Sequence, residues 1–254
     1  MLQWLKSLFA KEPEITAHAP DNTLIYAVGD VHGRHDLLIQ LQKQIIEDSK
    51  QSKASRKVIL YVGDYIDRGL ESKQVIETLL TAPLEGFEHI FLKGNHEDAL
   101  LRFLETPEDS AAWLLWGGDA TLRSYNVRLH NEKGKRRTPT EMAKLLTTHI
   151  PEAHKQFYES LKLYHQEGDY VFVHAGLRPN KELEAQTAED MMTIREPFIF
   201  SRQNFPYTVV FGHTIFSEPF IEKARIGIDT GAYASGKLTC LVLEGTEQRF
   251  LHTS

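Results

Sequence analysis

At 254 residues the chain is long enough to bury a substantial core without staples. Its 41% apolar and 25% charged residues are those of a soluble globular protein, and a net charge of −6 argues against coating nucleic acid. A single cysteine, Cys240, excludes an intrachain disulfide and suits a reducing cytoplasm, and no apolar run approaches the roughly 20 residues that span a bilayer.

In chain order, Met1–Ala10 carries Leu2, Leu5, Leu8 and Phe9 near one helical face, with Trp4 beside them. The pattern predicts a short helix docked on the core, with weak membrane-surface or partner contact as the alternative. No basic start or small-residue cleavage site frames it as a signal peptide. Lys11–Asn22 is polar and contains proline, so it reads as a connector. A rhythm then begins, in which short apolar runs end abruptly in Gly, Asp, Asn or His. The runs Leu24–Val28, Val58–Val62, His89–Leu92, Tyr170–Val173, Thr208–Phe211 and Arg225–Ile228 are rich in Val, Ile, Tyr and Phe and predict buried strands.

Helices are predicted between them. Asp36 can cap a helix through about Asp48, with Leu37, Leu38, Leu41, Ile45 and Ile46 inward. Glu71–Leu80 and Glu97–Leu104 are further helices, and Pro107–Glu167 is mostly helical, including Glu141–His149 and Pro151–Tyr164. The basic run Asn131–Arg137 reads as a solvated loop, or as a lip that recruits phosphorylated substrates. Lys237–Glu244 and Arg249–His252 are late strands, with Cys240 a small buried hydrophobe in the first of them. The order predicts an α/β fold with sheets covered by helices. Residues 1–22 form an N-terminal segment, and 23–254 one domain with a mainly helical insert at about 105–168.

The polar residues at the strand ends form a set: Gly29-Asp30-Val31-His32-Gly33, Gly63-Asp64-Tyr65-Ile66-Asp67-Arg68-Gly69, Gly94-Asn95-His96-Glu97, His174-Ala175-Gly176 and Gly212-His213-Thr214. A lone Gly-Asp is usually a turn, and a lone histidine at a strand end is often a core residue. Five such turns in succession have no simple structural explanation, because buried charges at this density are costly without a cation. Carboxylates, imidazoles and an amide carbonyl suit Mn, Fe or Zn.

These motifs, in this order, closely resemble the calcineurin-like metallophosphoesterases, and more narrowly the bacterial and phage branch of the Ser/Thr protein phosphatases. The resemblance runs from about Leu24 to Leu243 and includes Thr193-Ile194-Arg195-Glu196 and Ile228-Asp229-Thr230-Gly231-Ala232. It implies a central β-sandwich of mixed sheets flanked by helices, in four αββα layers. It also implies two divalent metal ions, Mn first among the candidates, that activate a hydroxide for attack on a phosphate ester.

Carried over residue by residue, Asp30 and His32 would bind the first metal, Asp64 would bridge, and Asn95, His174 and His213 would bind the second. His96 would be the general acid and Asp67 its orienting partner. Arg68 and Arg195 would hold phosphate oxygens, with Asn95 also facing substrate. The implied substrate is a phosphoserine or phosphothreonine protein or peptide, with phosphotyrosine and small phosphate esters open and no nucleic acid expected. A symmetrical dinucleoside polyphosphate hydrolase is the nearest alternative, although those enzymes typically lack an aspartate at the place of Asp67. All six ligand positions and His96 are present, which argues against a non-catalytic scaffold. One departure stands in the helical insert, where Trp116 precedes Gly117-Gly118 in place of the usual Asn. It is read as an aromatic wall for substrate or as core packing. Asp229 and Thr230 are read as shaping a turn, and Tyr233 as either rim or packing.

Overall fold

The computed structural model describes residues 17–203 and 205–253. The helix expected at Met1–Ala10 lies outside the described residues. Among the described residues, ten strands form two five-stranded mixed sheets. The first has the order β10-β9-β1-β2-β3, from β1 (Thr23–Val28), β2 (Arg56–Tyr61), β3 (Glu88–Phe91), β9 (Thr239–Glu244) and β10 (Glu247–His252). Its β1, β2 and β3 run parallel, and β9 and β10 add antiparallel. The second has the order β4-β5-β6-β8-β7, from β4 (Tyr164–Glu167), β5 (Tyr170–Val173), β6 (Thr208–Phe211), β7 (Phe220–Glu222) and β8 (Arg225–Gly227).

Alternation along the strands builds the layers. Ile25, Ala27, Val58, Leu60, Leu241 and Leu243 face the second sheet and meet Tyr170, Phe172, Val210 and Ile226 there. Their neighbours Leu24, Tyr26, Val28, Ile59 and Tyr61 face the other way, onto helices. Val171, Val173, Val209 and Phe211 do the same on the far side of the second sheet. Side chains of period two on both sheets therefore make three apolar interfaces and four layers, the αββα arrangement that the motifs implied.

Helices α1 (His35–Ser49), α2 (Ser72–Thr81) and α3 (Asn95–Glu105) cover the first sheet. Two sequence expectations are corrected in α1. The cap position is Arg34, and Asp36 sits in the first turn, where its carboxylate takes the Arg34 guanidinium. Ile46 is 42% exposed, because one step of about 100° beyond Ile45 carries it off the buried stripe. At the other end of α1, Asp48 accepts the Tyr26 hydroxyl at 2.6 Å and the Arg249 guanidinium, tying the helix to β1 and β10. Burial opposes its charge, but Arg249 and Tyr26 outweigh it and hold the carboxyl below its ordinary value. A depressed folded pKa contributes stability above the unfolded value of about 4 that is lost as pH falls through the folded one. Asp48→Asn is thus expected to be less stable than the native chain at pH 7, with the gap in urea midpoint narrowing as pH falls through the depressed folded pKa.

The helical segment carries a 3-10 helix (Ala111–Trp116), α4 (Gly118–Ser124), α5 (Pro139–His149) and α6 (Glu152–Ser160). Thr138 caps α5 in a reciprocal box with Glu141. The expectation of helix to Tyr164 fails at Leu161. Tyr164–Glu167 is strand β4, returned onto β5 by the two-residue turn Gly168-Asp169 with Gly168 at φ +60°. Strand β7 was also missed, being three residues long. Short helices α7 (Ala188–Thr193), α8 (Glu196–Ile199) and α9 (Ala232–Ser235) complete the chain. No helix among the described residues is long and apolar enough to cross a membrane.

Candidate metal centre

The five glycine-flanked turns converge at one end of the two sheets. Three of them follow β1, β2 and β3, the last running directly into α3, and two follow β5 and β6. Nine non-glycine residues among those described have positive φ, and five are predicted site residues: His32, Asp64, Asp67, Arg68 and His213. Such backbone costs about 1–3 kcal/mol per residue and persists only where surrounding contacts impose it. Close packing explains the glycines. A Cβ on Gly94 would lie 2.0 Å from Asp64 Oδ1, so only glycine admits that carboxylate.

Two groups of donors lie within 4.8 Å of one another, His32 with Asp64 and His96, and Asp64 with His174 and His213. Asp64 belongs to both, with Oδ2 3.5 Å from His32 Nε2 and 3.4 Å from His174 Nε2. His32 Nδ1 lies 2.8 Å from the Ile66 carbonyl and His174 Nδ1 2.9 Å from that of Val62. Each Nδ1 then carries the proton and donates, leaving the Nε2 lone pair for a cation. Asn95 Oδ1 is 3.1 Å from His174 Nε2. Burial lowers the His32 pKa to about 3 and that of His213 to about 2, so both rings are neutral, as metal ligation requires. Asp30 stands outside the two groups, but its buried carboxylate accepts the His213 amide at 3.0 Å. Burial, and then Asp229 and Asp64, push Asp30 well above the ordinary carboxyl range. Asp64 is also opposed by burial, yet His174 and His96 hold it well below that range. At His174 burial works against a charged ring but Asp64 outweighs it and raises the pKa, so a cation there would displace a proton. Carboxylates and imidazoles converging in this way fit divalent cations.

Beside these donors lies an acid–base pair. His96 Nδ1 is 2.7 Å from Asp67 Oδ2, and both side chains are buried. Asp67 is held in turn by the Trp113 indole N–H at 2.7 Å and the Thr121 hydroxyl at 2.6 Å. Burial works against a charged His96, but Asp64 and Asp67 outweigh it and raise its pKa. Arg68 places Nη1 2.8 Å from His32 Nε2 and Nη2 3.2 Å from His96 Nε2, and its guanidinium stacks 4.6 Å from the Tyr233 ring centroid. Arg195 donates to the His213 carbonyl and to Thr214. A cavity of about 400 Å³ opens here, lined by Arg68, Asn95, His96, Leu115, Trp116, Arg195 and Tyr233. Trp116 is 51% exposed in it, so the core-packing alternative falls, and Tyr233 belongs to the rim. The basic run is a turn closed by the Asn131 side chain. Its Arg136 and Arg137 line an apolar groove of about 480 Å³ that shares Leu115 with this cavity.

Sequence reasoning missed the supports. Glu97 is fully buried and accepts the amides of Asp64 at 2.9 Å, Tyr65 at 2.8 Å and Gly94 at 3.0 Å, pinning two of the turns together. Burial, then Asp64, push its pKa up to about 7. Its place directly after Asn95-His96 was the only local signal. Trp113 and Thr121 gave none, because their contact with Asp67 spans 46 and 54 residues.

This fold and convergence of donors define a metal-dependent phosphoesterase class. The chain belongs to the calcineurin-like phosphoesterase family, whose profile matches residues 23–216, and that family uses a dinuclear divalent metal centre. An asymmetrical bis(5'-nucleosyl)-tetraphosphatase, PrpE, of Halalkalibacterium halodurans is 25% identical over 234 residues, covering 84% of this chain and 87% of its own. A crystal structure of a candidate diadenosine tetraphosphatase superposes with a TM-score of 0.62 at 19% identity, covering 95% of this chain and 96% of that one. A cold-active protein-tyrosine phosphatase of a psychrophilic Shewanella gives 0.58 at 17%, covering 95% and 84%. The two structures share the fold.

Proposed function

We propose that the protein hydrolyses phosphomonoesters, foremost phosphoserine and phosphothreonine in proteins or peptides, at a dinuclear metal centre. Asp30 and His32 would hold one ion and Asn95, His174 and His213 the other, with Asp64 common to both donor groups. A bound pair of ions, Mn being the first candidate, supplies Lewis acidity and lowers the pKa of water toward neutrality. Arg68 and Arg195 face the cavity and clamp phosphoryl oxygens through planar guanidinium forks. His96 gives its Nε2 proton to the departing oxygen, and Asp67 fixes the ring and favours its charged form. Water takes the phosphoryl group in one displacement, with no phosphorylated residue.

The observation that carries this reading is the His96–Asp67 pair, locked by Trp113 and Thr121. A serine alkoxide is a poor leaving group and needs a proton, whereas a nucleotide phosphate leaves readily without one. The groove bearing Arg136 and Arg137 adds a surface suited to acidic peptide flanks. The test is phosphate release by the Mn-loaded protein from phosphoserine, phosphothreonine and phosphotyrosine peptides, beside chromatography of cleaved diadenosine tetraphosphate. A higher kcat/KM on the dinucleotide than on any peptide would overturn the assignment of substrate.

That second reading has its own support. The PrpE relatives are named for asymmetrical dinucleotide cleavage, where the alternative read from the sequence was a symmetrical hydrolase, and Trp116 and Tyr233 offer exposed aromatic faces in the cavity. Base–aromatic stacking is worth about 1–3 kcal/mol. If a base stacks there, Trp116→Ala raises KM for the dinucleotide about 10-fold and leaves that for a phosphopeptide within a factor of about three.

A further inference from the structure

Asp229 is a buried carboxylate that has no part in the site described above. It follows β8 and lies at the same end of the sandwich as the five turns. It is 2% exposed. Its Oδ1 accepts the Gly231 amide at 2.8 Å, and its own carbonyl accepts the Phe216 amide at 3.0 Å, so the backbone and half the carboxylate are fixed. The turn is braced by the Thr230 hydroxyl, which lies 2.7 Å from both the Lys237 carbonyl and Thr239 Oγ1. The other oxygen, Oδ2, is buried and has no hydrogen-bond partner.

Its neighbourhood is the metal centre. A Cβ on Gly29 would meet the Ile228 carbonyl at 2.4 Å, so the residues immediately before Asp30 and before Asp229 pack backbone to backbone. Asp229 is the charged group that acts most strongly on Asp30, and Asp229 itself feels Asp64, His174 and Arg68. A buried carboxylate with an idle oxygen beside two other carboxylates is costly unless a cation compensates it. A residue that only shaped the turn would need Oδ1 alone, which asparagine supplies equally well.

We propose that Asp229 is a further cation-holding residue of the Asp30–His32 half of the centre, acting through its free Oδ2 on the ion or on a water in the ion's shell. The inference rests on the reading of Asp30 and His32 as ligands. It separates Asp229 from a turn-former, because the Asp229→Asn protein keeps an oxygen for the Gly231 contact and exchanges the free anionic oxygen for a neutral amide group.

The experiment is calorimetric titration of the chelator-stripped full chain with Mn²⁺, without substrate, beside thermal unfolding of the stripped and loaded forms. In Asp229→Asn one of the two affinities is expected to weaken about 10–100-fold, the range for groups that support a metal's ligands. The stripped variant should melt no lower than the stripped native chain, since a buried repulsion is gone, while its gain in Tm on loading shrinks. Unchanged affinities in a folded variant would overturn the inference, as would equal weakening at both sites, the mark of a damaged turn. Should Asp229→Asn not fold, Asp229→Ser keeps an acceptor near Gly231 without the free oxygen, and the same outcomes apply. A native chain that binds no divalent cation would sink the two-metal reading and this inference together. Two ions bound by a native chain inert toward phosphopeptides would leave the inference standing and remove only the substrate assignment.

Discussion

His96→Asn is expected to lower kcat on a phosphoserine peptide by about 10²–10⁴-fold, the usual contribution of a positioned general acid. The loss should shrink to less than about 10-fold on an aryl phosphate, whose phenolate departs without protonation. That contrast isolates proton donation from every other role of the ring. It matters because His96 also falls within 4.8 Å of His32 and Asp64 in one of the two donor groups. A ligand lost from a metal site weakens cation binding and slows both substrates alike. Metal content should therefore be measured beside kcat. Retained Mn with a leaving-group-dependent loss supports the acid, and a uniform loss with depleted Mn would overturn that role. Asp67→Asn should show the same leaving-group dependence at smaller size, because the ring keeps a partner but loses the carboxylate that favours its charge.

The largest stability effect is expected at Glu97. In Glu97→Ala the buried amides of Asp64, Tyr65 and Gly94 lose their acceptor. Each buried donor left unpaired costs about 1–3 kcal/mol. Relief of burying the carboxylate offsets part of that sum, so a net loss of about 3 kcal/mol is expected from urea unfolding of the metal-free protein. The same side chain helps impose the left-handed backbone at Asp64, φ 52°, so Mn affinity should fall as well. Glu97→Gln retains one acceptor oxygen and turns an amide group toward the remaining donors, and should lose roughly half as much. A change below about 1 kcal/mol in the alanine variant would show that other acceptors take over these amides.

The likeness to dinucleotide-cleaving relatives and the acid–base pair favour different leaving groups, and the sequence holds reasons for both. In the proposed assignment the motifs from Asp30 to His213 serve the phosphoryl group and its cations, which the two reactions share. Discrimination rests on what lies around them, namely Trp116, Tyr233, Leu115 and the Arg136–Arg137 groove. These residues belong to the surroundings of the cavity, where a family resemblance says least about substrate.

The sequence alone determined the strands, the helices and the ligand-type turns, because these are written in local patterns, while the four layers came from the resemblance its motifs carry. Continuous apolar runs at Leu24–Val28, Val58–Val62 and Tyr170–Val173 specify strands buried on both faces. Ligand types set between glycines specify turns that approach a cation closely. The tertiary structure decided what those residues contact. The resemblance had implied the pairing of Asp67 with His96, but Trp113 and Thr121, which hold Asp67 from 46 and 54 residues away in the helical segment, lay beyond any spacing rule. Trp116 faces the cavity because Gly117, at φ +108°, packs its backbone against Arg68. Asp229 looked like any turn aspartate until the Gly29–Ile228 contact set it beside Asp30. Strand β4 formed where helix was expected because β5 offered an edge two residues away, and pairing across a tight turn outweighs a short helical pattern. Periodicity reports which face a residue takes on its own element. Partners come from where elements pack, which depends on the whole set of interfaces at once.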